Sequence, residues 1–273
     1  CLTLTSKVSA TMVNQSNSYA ADLALAHKLA DAADLITLDR FNALDLVITT
    51  KPDNTPVTDA DKATEEKIRN LIKLAHPNDH VIGEEFGGSD AKPDRYWVID
   101  PIDGTKNFMR GIPTWATLIG LVEAGEVVVG VVSAPALFRR WHGSKNSGAF
   151  LSVNNGTPAK IEVSKVAKLD DASISFSDLT GWSQHREKFL ALLDKIWRMR
   201  AYGDFWSHML VAEGAVDIAV EPKLALWDMA ALEVIVREAG GAFTSFDGTP
   251  GVFGTNAISS NGLLHQQFLG SIK

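Results

Sequence analysis

Between residues 18 and about 41, apolar positions recur three or four apart. Leu23, Ala26, Ala30, Ala33 and Thr37 make one stripe, which Leu25, Leu29 and Ile36 widen. That period predicts an amphipathic helix. A second helix is predicted from Thr58, where T-D-A-D supplies an N-cap and an acid at the third helical position. It carries Ala60, Ala63, Ile68, Leu71 and Ala75 and stops before Pro77. The intervening K-P-D-N-T-P (residues 51–56) reads as loop. Next the pattern shortens to strands at 80–83 and 96–99, each followed at once by acid: Glu84-Glu85 and Asp100. Residues 116–123 and 127–133 predict a hairpin around E-A-G-E. Glu123 and Glu126 interrupt this longest apolar stretch and argue against a membrane span.

A second half begins near residue 156, giving expected units of 19–155 and 156–273 behind a flexible segment, 1–18. Helices are predicted at 185–197, 204–215 and 227–239, and strands at 174–177, 198–202, 217–220 and 242–246. Gly240-Gly241 stops the last helix. Alternation on this scale predicts a mixed, layered architecture without ordering its strands.

Composition narrows the chemistry. The 273 residues are 45% hydrophobic and 22% charged, with a net charge of −7 and no basic cluster, which disfavours nucleic acid as a partner. The single cysteine, Cys1, excludes an intrachain disulfide framework and a cysteine-based zinc site. Residues 1–18 contain Ser, Thr and one Lys but no acid, a composition shared by the tail of an organelle transit peptide and by a merely flexible terminus. There is no G-x-x-x-x-G-K-[ST] loop, no H-E-x-x-H and no G-x-S-x-G.

The densest candidate chemistry is W-V-I-D-P-I-D-G-T-K-N-F at 97–108. Asp100 follows an apolar run, Pro101 fixes φ and removes a donor, and Gly104 permits a reversal. Asp100 and Asp103 then converge beside the amides of Gly104 and Thr105, with Thr105 able to cap a short helical turn. Two carboxylates so close need a cation or a proton between them, and oxygen ligands beside free amides suit Mg²⁺ bridging to a phosphate. Asp-Pro and Asp-Gly are also ordinary turn dipeptides, so the string alone is an even choice. Glu84 in G-E-E-F-G-G and Asp228 in L-W-D-M-A-A, at a helix start, tip the balance by occurring together with it.

G-E-E (83–85), the 97–108 string and L-W-D-M-A-A…E-A-G-G (226–241) stand in one order, and from about Tyr19 the chain resembles the lithium-sensitive, Mg²⁺-dependent inositol monophosphatase superfamily of phosphomonoesterases. The resemblance implies an α+β fold, a layered αβαβα sandwich of the inositol monophosphatase / fructose bisphosphatase type. It also implies up to three Mg²⁺ per site and a homodimer acting on a small phosphate ester. By motif, Glu84, Asp100 and the carbonyl of Ile102 would hold one ion. Asp100, Asp103 and Asp228 would hold a second, and Glu84 would reach a weaker third through water. Gly104 and Thr105 would bind phosphate, and Thr105 with Asp53 would orient and deprotonate the attacking water. Asp53 reads equally as an Asx-turn residue, and Thr105 as a plain cap.

Within the superfamily, residues 106–121 and 203–222 resemble most the histidinol-phosphate branch of actinobacteria and plants. Its substrate carries an ammonium and an imidazole, so carboxylates beyond the metal ligands are expected. Glu221, seven residues before Asp228, is the expected contact to the organic part. Asp204 either caps the following helix, the favoured reading, or faces the pocket. The rivals are an inositol or broad sugar-alcohol phosphatase and a non-catalytic assembly member. The set Glu84, Asp100, Asp103, Thr105 and Asp228 argues against the latter. The plant-like branch and the acid-poor leader together suggest a plastid location, with the cytoplasm as the alternative in a chain of other origin.

Overall fold

The computed structural model describes residues 18–52, 54–88 and 93–273; Asp53 and residues 1–17 lie outside the described residues. Two N-terminal helices form where the 3.6-residue period placed them, α1 (Ala20–Arg40) and α2 (Asp59–Ala75). Thr58 and Asp61 make a capping box at the start of α2. The Thr58 hydroxyl accepts the Asp61 amide at 3.4 Å, and the Asp61 carboxylate accepts the Thr58 amide at 2.8 Å. The expected loop is the turn of an antiparallel ribbon whose strands, β1 (Ile48–Thr50) and β2 (Pro56–Thr58), flank it and were not anticipated. Three-residue strands are too short for alternation to announce them.

Seven strands then follow in chain order across one sheet: β3 (His80–Gly83), β4 (Arg95–Asp103), β5 (Ala116–Glu123), β6 (Glu126–Ala134), β7 (Arg139–Ser144), β8 (Gly148–Val153) and β9 (Ala159–Ile161). Only β3 and β4 are parallel. The expected hairpin is β5–β6, while β7 to β9 were not anticipated. β7 reads R-R-W-H-G-S, a polar string whose strand character comes from pairing rather than pattern. A short helix, α3 (Thr105–Met109), joins β4 to β5.

The second sheet has the order β11 (Arg198–Arg200), β10 (Ser173–Ser175), β12 (Ile218–Glu221), β14 (Ala257–Ser260) and β13 (Ala242–Thr244). Helices α4 (Arg186–Leu193), α5 (Asp204–Ala212), α6 (Leu226–Glu238) and α7 (His265–Ile272) accompany it. The helix expected at 185–197 is thus shorter, and β14 and α7 are additions.

The layers are helix, sheet, helix, sheet, helix. Leu29, Ala33 and Ile68 of α1 and α2 pack on Trp97, Ile119 and Val129 of the large sheet. Its other face, through Val98, Leu118 and Val132, meets Met209, Ala230 and Val234 of α5 and α6, with Ala219 and Phe243 of the second sheet behind. Phe189 and Phe268 of α4 and α7 close the outer face against Ile174 and Ile258. No helix among the described residues is long and apolar enough to cross a membrane.

Two glycines set the depth at which α6 sits. A Cβ on Gly130 would lie 2.5 Å from Val234 Cγ1 and 2.6 Å from the Ala231 carbonyl, and one on Gly120 would lie 2.9 Å from Ala230 Cβ. The bare strands β5 and β6 therefore let α6 lie against them, and its first turn arrives beside β4.

Candidate active site

β4 does not end at Asp100. It runs on to Asp103 through an irregularity, Asp100 pairing with Leu118 and Asp103 with Ala116. Pro101 interrupts the ladder as its missing amide requires, but the strand resumes instead of stopping. The bulge is pinned by the Thr117 hydroxyl, which donates to the Pro101 carbonyl at 2.8 Å, and by the Ile102 amide, which donates to Asp100 Oδ1 at 3.0 Å. The Ile102 side chain is buried with Ala60, Phe108 and Trp115.

Gly104 follows at φ 86° and is itself the N-cap of α3. Added there, a Cβ would stand 2.9 Å from the Thr114 carbonyl, so the position needs glycine twice over. Thr105 is the first helical residue and not a cap. Its hydroxyl donates to the Ile102 carbonyl at 3.1 Å and faces Asp61 Oδ1 at 3.4 Å. Asp61 was read only as a helix-start acid. Its other oxygen closes the capping box, and burial raises the group to about 6. The available signal was an N3 acid that spends one oxygen on its own helix and keeps the other free.

Asp228 is the third residue of α6, and its Oδ2 accepts the Ala225 amide at 2.7 Å. Asp103 reaches across to the second half, where its Oδ2 accepts the Phe205 amide at 2.6 Å at the start of α5. Asp100, Asp103 and Asp228 each present an oxygen within 4.8 Å of the other two. Burial, followed by the charge of Glu84, raises Asp100 well above the carboxylate range. Burial and Asp204 do the same to Asp103, and burial takes Asp228 to about 6.

Like charges about 5 Å apart repel by about 3 kcal/mol at an effective dielectric of about 20, so three such acids need protons or a cation. Each keeps one oxygen tied to a backbone amide and leaves the rest of its acceptor capacity open, and the donors are all hard oxygens. That set fits Mg²⁺. Glu84 lies outside that trio, although its charge helps raise all three. Lys51 from the ribbon tip donates to Glu84 Oε1 at 2.8 Å and to Glu85 Oε1 at 2.6 Å. Lys51 was not anticipated.

Asp204 does not cap α5. Gly203 is the N-cap, and Asp204 sits at φ 49°, receiving Asn107 Nδ2 on its Oδ2 at 3.1 Å. Its charge helps raise both Asp103 and Glu221. Glu221, at the end of β12, is buried, accepts the Ser177 hydroxyl at 2.7 Å and is pushed up by burial to about 8. Ser177 also accepts the Asp204 backbone amide at 2.9 Å and so links the Glu221 carboxylate to the start of α5.

A buried carboxylate and a half-buried one at a strand bulge, a half-buried third at a helix start, and a hydroxyl–carboxylate pair beside them have the make-up of a metal-dependent phosphatase site. The chain belongs to the inositol monophosphatase family, whose family model matches residues 19–272. It is 57% identical to a histidinol-phosphatase of Mycobacterium tuberculosis over 91% of this chain and 96% of the relative. It is 56% identical to a histidinol-phosphatase of Streptomyces coelicolor, over 92% and 97%. Among solved structures, an IMPase of Thermotoga maritima superposes with a TM-score of 0.82 at 32% identity, covering 92% of this chain and 96% of that one.

Proposed function

We propose that the protein hydrolyses L-histidinol phosphate to L-histidinol and inorganic phosphate, the phosphatase step of histidine biosynthesis, with Mg²⁺ as cofactor. The observation that carries this reading is a second pair of acids, Asp204 and Glu221, with Ser177 linking the Glu221 carboxylate to the Asp204 backbone. A neutral polyol has no need of two extra carboxylates, one buried and one half-buried, whereas an alcohol bearing an ammonium and an imidazole supplies their counter-charge. The near full-length likeness to two histidinol-phosphatases supports the same choice.

Asp100, Asp103 and Asp228 would hold Mg²⁺, with the Ile102 carbonyl and Glu84 as further ligands and up to three ions per site. Bound there, Mg²⁺ neutralises phosphate charge and acidifies water. The chain's own residues do the rest. Thr105, held by the Ile102 carbonyl, offers its hydroxyl to a water on the phosphate side, and Asp61 Oδ1 is the anionic acceptor behind it. Gly104 lets the backbone approach the phosphate. Water's oxygen bonds to phosphorus as the ester oxygen departs, and one proton of the water ends on the alcohol product.

Turnover of histidinol phosphate against inositol 1-phosphate tests the reading. Fast hydrolysis of the first and little of the second is expected, and the reverse order overturns it. The chain is further proposed to form a homodimer and to be inhibited by Li⁺, a small hard cation that competes for carboxylate oxygens. A monomer in sedimentation, or full activity at millimolar Li⁺, counts against these.

A further inference from the structure

A fully buried carboxylate stands one helical turn from Asp61 and belongs to none of the roles above. Glu65 has no exposed surface, and its Oε2 accepts the Glu85 amide at 2.7 Å while its Oε1 accepts the Phe86 amide at 3.3 Å. These are the two amides that follow Glu84. Arg69, one turn further along α2, binds Glu65 Oε1 at 2.7 Å. It also donates to the Val81 carbonyl at 3.3 Å and the Gly87 carbonyl at 2.5 Å, on either side of the same turn, and lies 5.9 Å over the Phe86 ring. Gly83 is where the strand must pass this carboxylate, since a Cβ there would stand 2.1 Å from Glu65 Oε1.

We propose that Glu65 is the positioning residue for Glu84. With Arg69 it clamps the 83–87 turn to α2 and thereby fixes where the Glu84 carboxylate can reach. The geometry also joins two functions on one rod. Residues 61 and 65 are four apart, hence on one face of α2. The same helical surface presents Asp61 to the Thr105 hydroxyl and holds the turn that carries Glu84. A shift of α2 along its axis would displace the proton acceptor and the metal corner together.

A buried charge takes no such place cheaply, because an ionised carboxylate costs several kcal/mol to desolvate unless it is fully bonded. Here two amides and one guanidinium satisfy it. Glutamine in its place keeps the volume but turns one acceptor into a donor facing an amide or the guanidinium. Residues that hold metal ligands from behind commonly contribute about ten- to a hundredfold in metal affinity.

The inference rests on the reading of Asp100, Asp103, Asp228 and Glu84 as a Mg²⁺ site, and the test uses the substrate-free protein. Calorimetric titration with MgCl₂ should show Glu65→Gln weakening Mg²⁺ binding by about ten- to a hundredfold. Hydrogen exchange at the Glu85 and Phe86 amides should quicken in the same variant. Arg69→Gln, which leaves the Glu65 carboxylate in place, should show a smaller shift in the same direction. It stands as the test by itself if Glu65→Gln does not fold. A folded Glu65→Gln or Arg69→Gln protein that binds Mg²⁺ as tightly as the unmodified chain overturns the inference, whatever its melting temperature. Failure of the unmodified chain to bind Mg²⁺ overturns the metal site itself, and the inference with it. Neither outcome depends on which ester is hydrolysed.

Discussion

Single side chains divide here into those whose chemistry could be read from their neighbours in sequence and those that only distant contacts reveal. Asp100, Asp103 and Asp228 belong to the first kind, since a strand end and a helix start advertise them. Asp61 belongs to the second, because its capping-box role is a complete local explanation and hides the oxygen that faces Thr105, 44 residues away. Asp61→Asn should therefore lower kcat by about a hundredfold or more, the usual contribution of a positioned base, while Mg²⁺ affinity in calorimetry stays near its original value. Glu221→Gln separates a different function. On histidinol phosphate its KM should rise with little change in kcat, because in the proposed reading the lost group would meet the organic part of the substrate, away from the phosphorus. Steady-state kinetics on both esters checks this, with inositol 1-phosphate as the comparison that should not worsen.

Elements matter through where they let each other lie. α6 brings Asp228 to the bulge of β4 only because β5 and β6 present bare backbone at Gly120 and Gly130. Gly130→Ala should cost about 1–3 kcal/mol, typical of an overpacked interface, and the helix it displaces carries Asp228, the proposed metal ligand. Chemical denaturation should show the loss of stability, and the Mg²⁺ concentration needed for half-maximal activity should rise with it. The sequence pattern announced α1, α2, the β5–β6 hairpin and the core of α6, where long apolar periods leave little choice. It did not announce β1, β2 or β7 to β9, which are short or polar and become strands because a partner lies beside them. Nor could it show that β4 survives Pro101, since a bulge depends on the partner strand's register.

At the scale of the molecule, the balance of buried acids sets the response to pH. Glu221 is raised to about 8, Glu85 to about 7, and Asp61 and Asp228 to about 6, each first by burial. The folded chain therefore keeps protons that the unfolded chain, with ordinary carboxylates near pH 4, has given up. The stability these groups contribute is present at low pH and is lost as pH rises from about 4 to about 8. Asp247, lowered to about 2 at the surface, acts in the opposite direction below that window, and the buried imidazoles of His142 and His208, lowered to about 4, with His27 and His265 also lowered by burial, oppose the loss up to about pH 6.5. In the presence of a chelator, the thermal midpoint should fall between about pH 6.5 and pH 8, where Glu85 and Glu221 lose their protons and the imidazoles are neutral in both states. Saturating Mg²⁺ should flatten that slope by replacing protons in the Asp100–Asp103–Asp228 cluster. A midpoint that rises over the same range without metal would contradict the assignment.

The placement of β14 bears on the order of events during synthesis. It leaves the ribosome after β12 and β13 yet lies between them, pairing Glu221 with Ala257 and Thr244 with Ile258. Until then β12 has a neighbour on one side only, β10, and the strand that ends in Glu221 stays an open edge. A nascent chain can thus assemble the seven-stranded sheet, with Asp100 and Asp103 in place, well before it can recognise a substrate. Premature termination just short of β14 would leave a product that retains those two acids and has no finished wall behind Glu221.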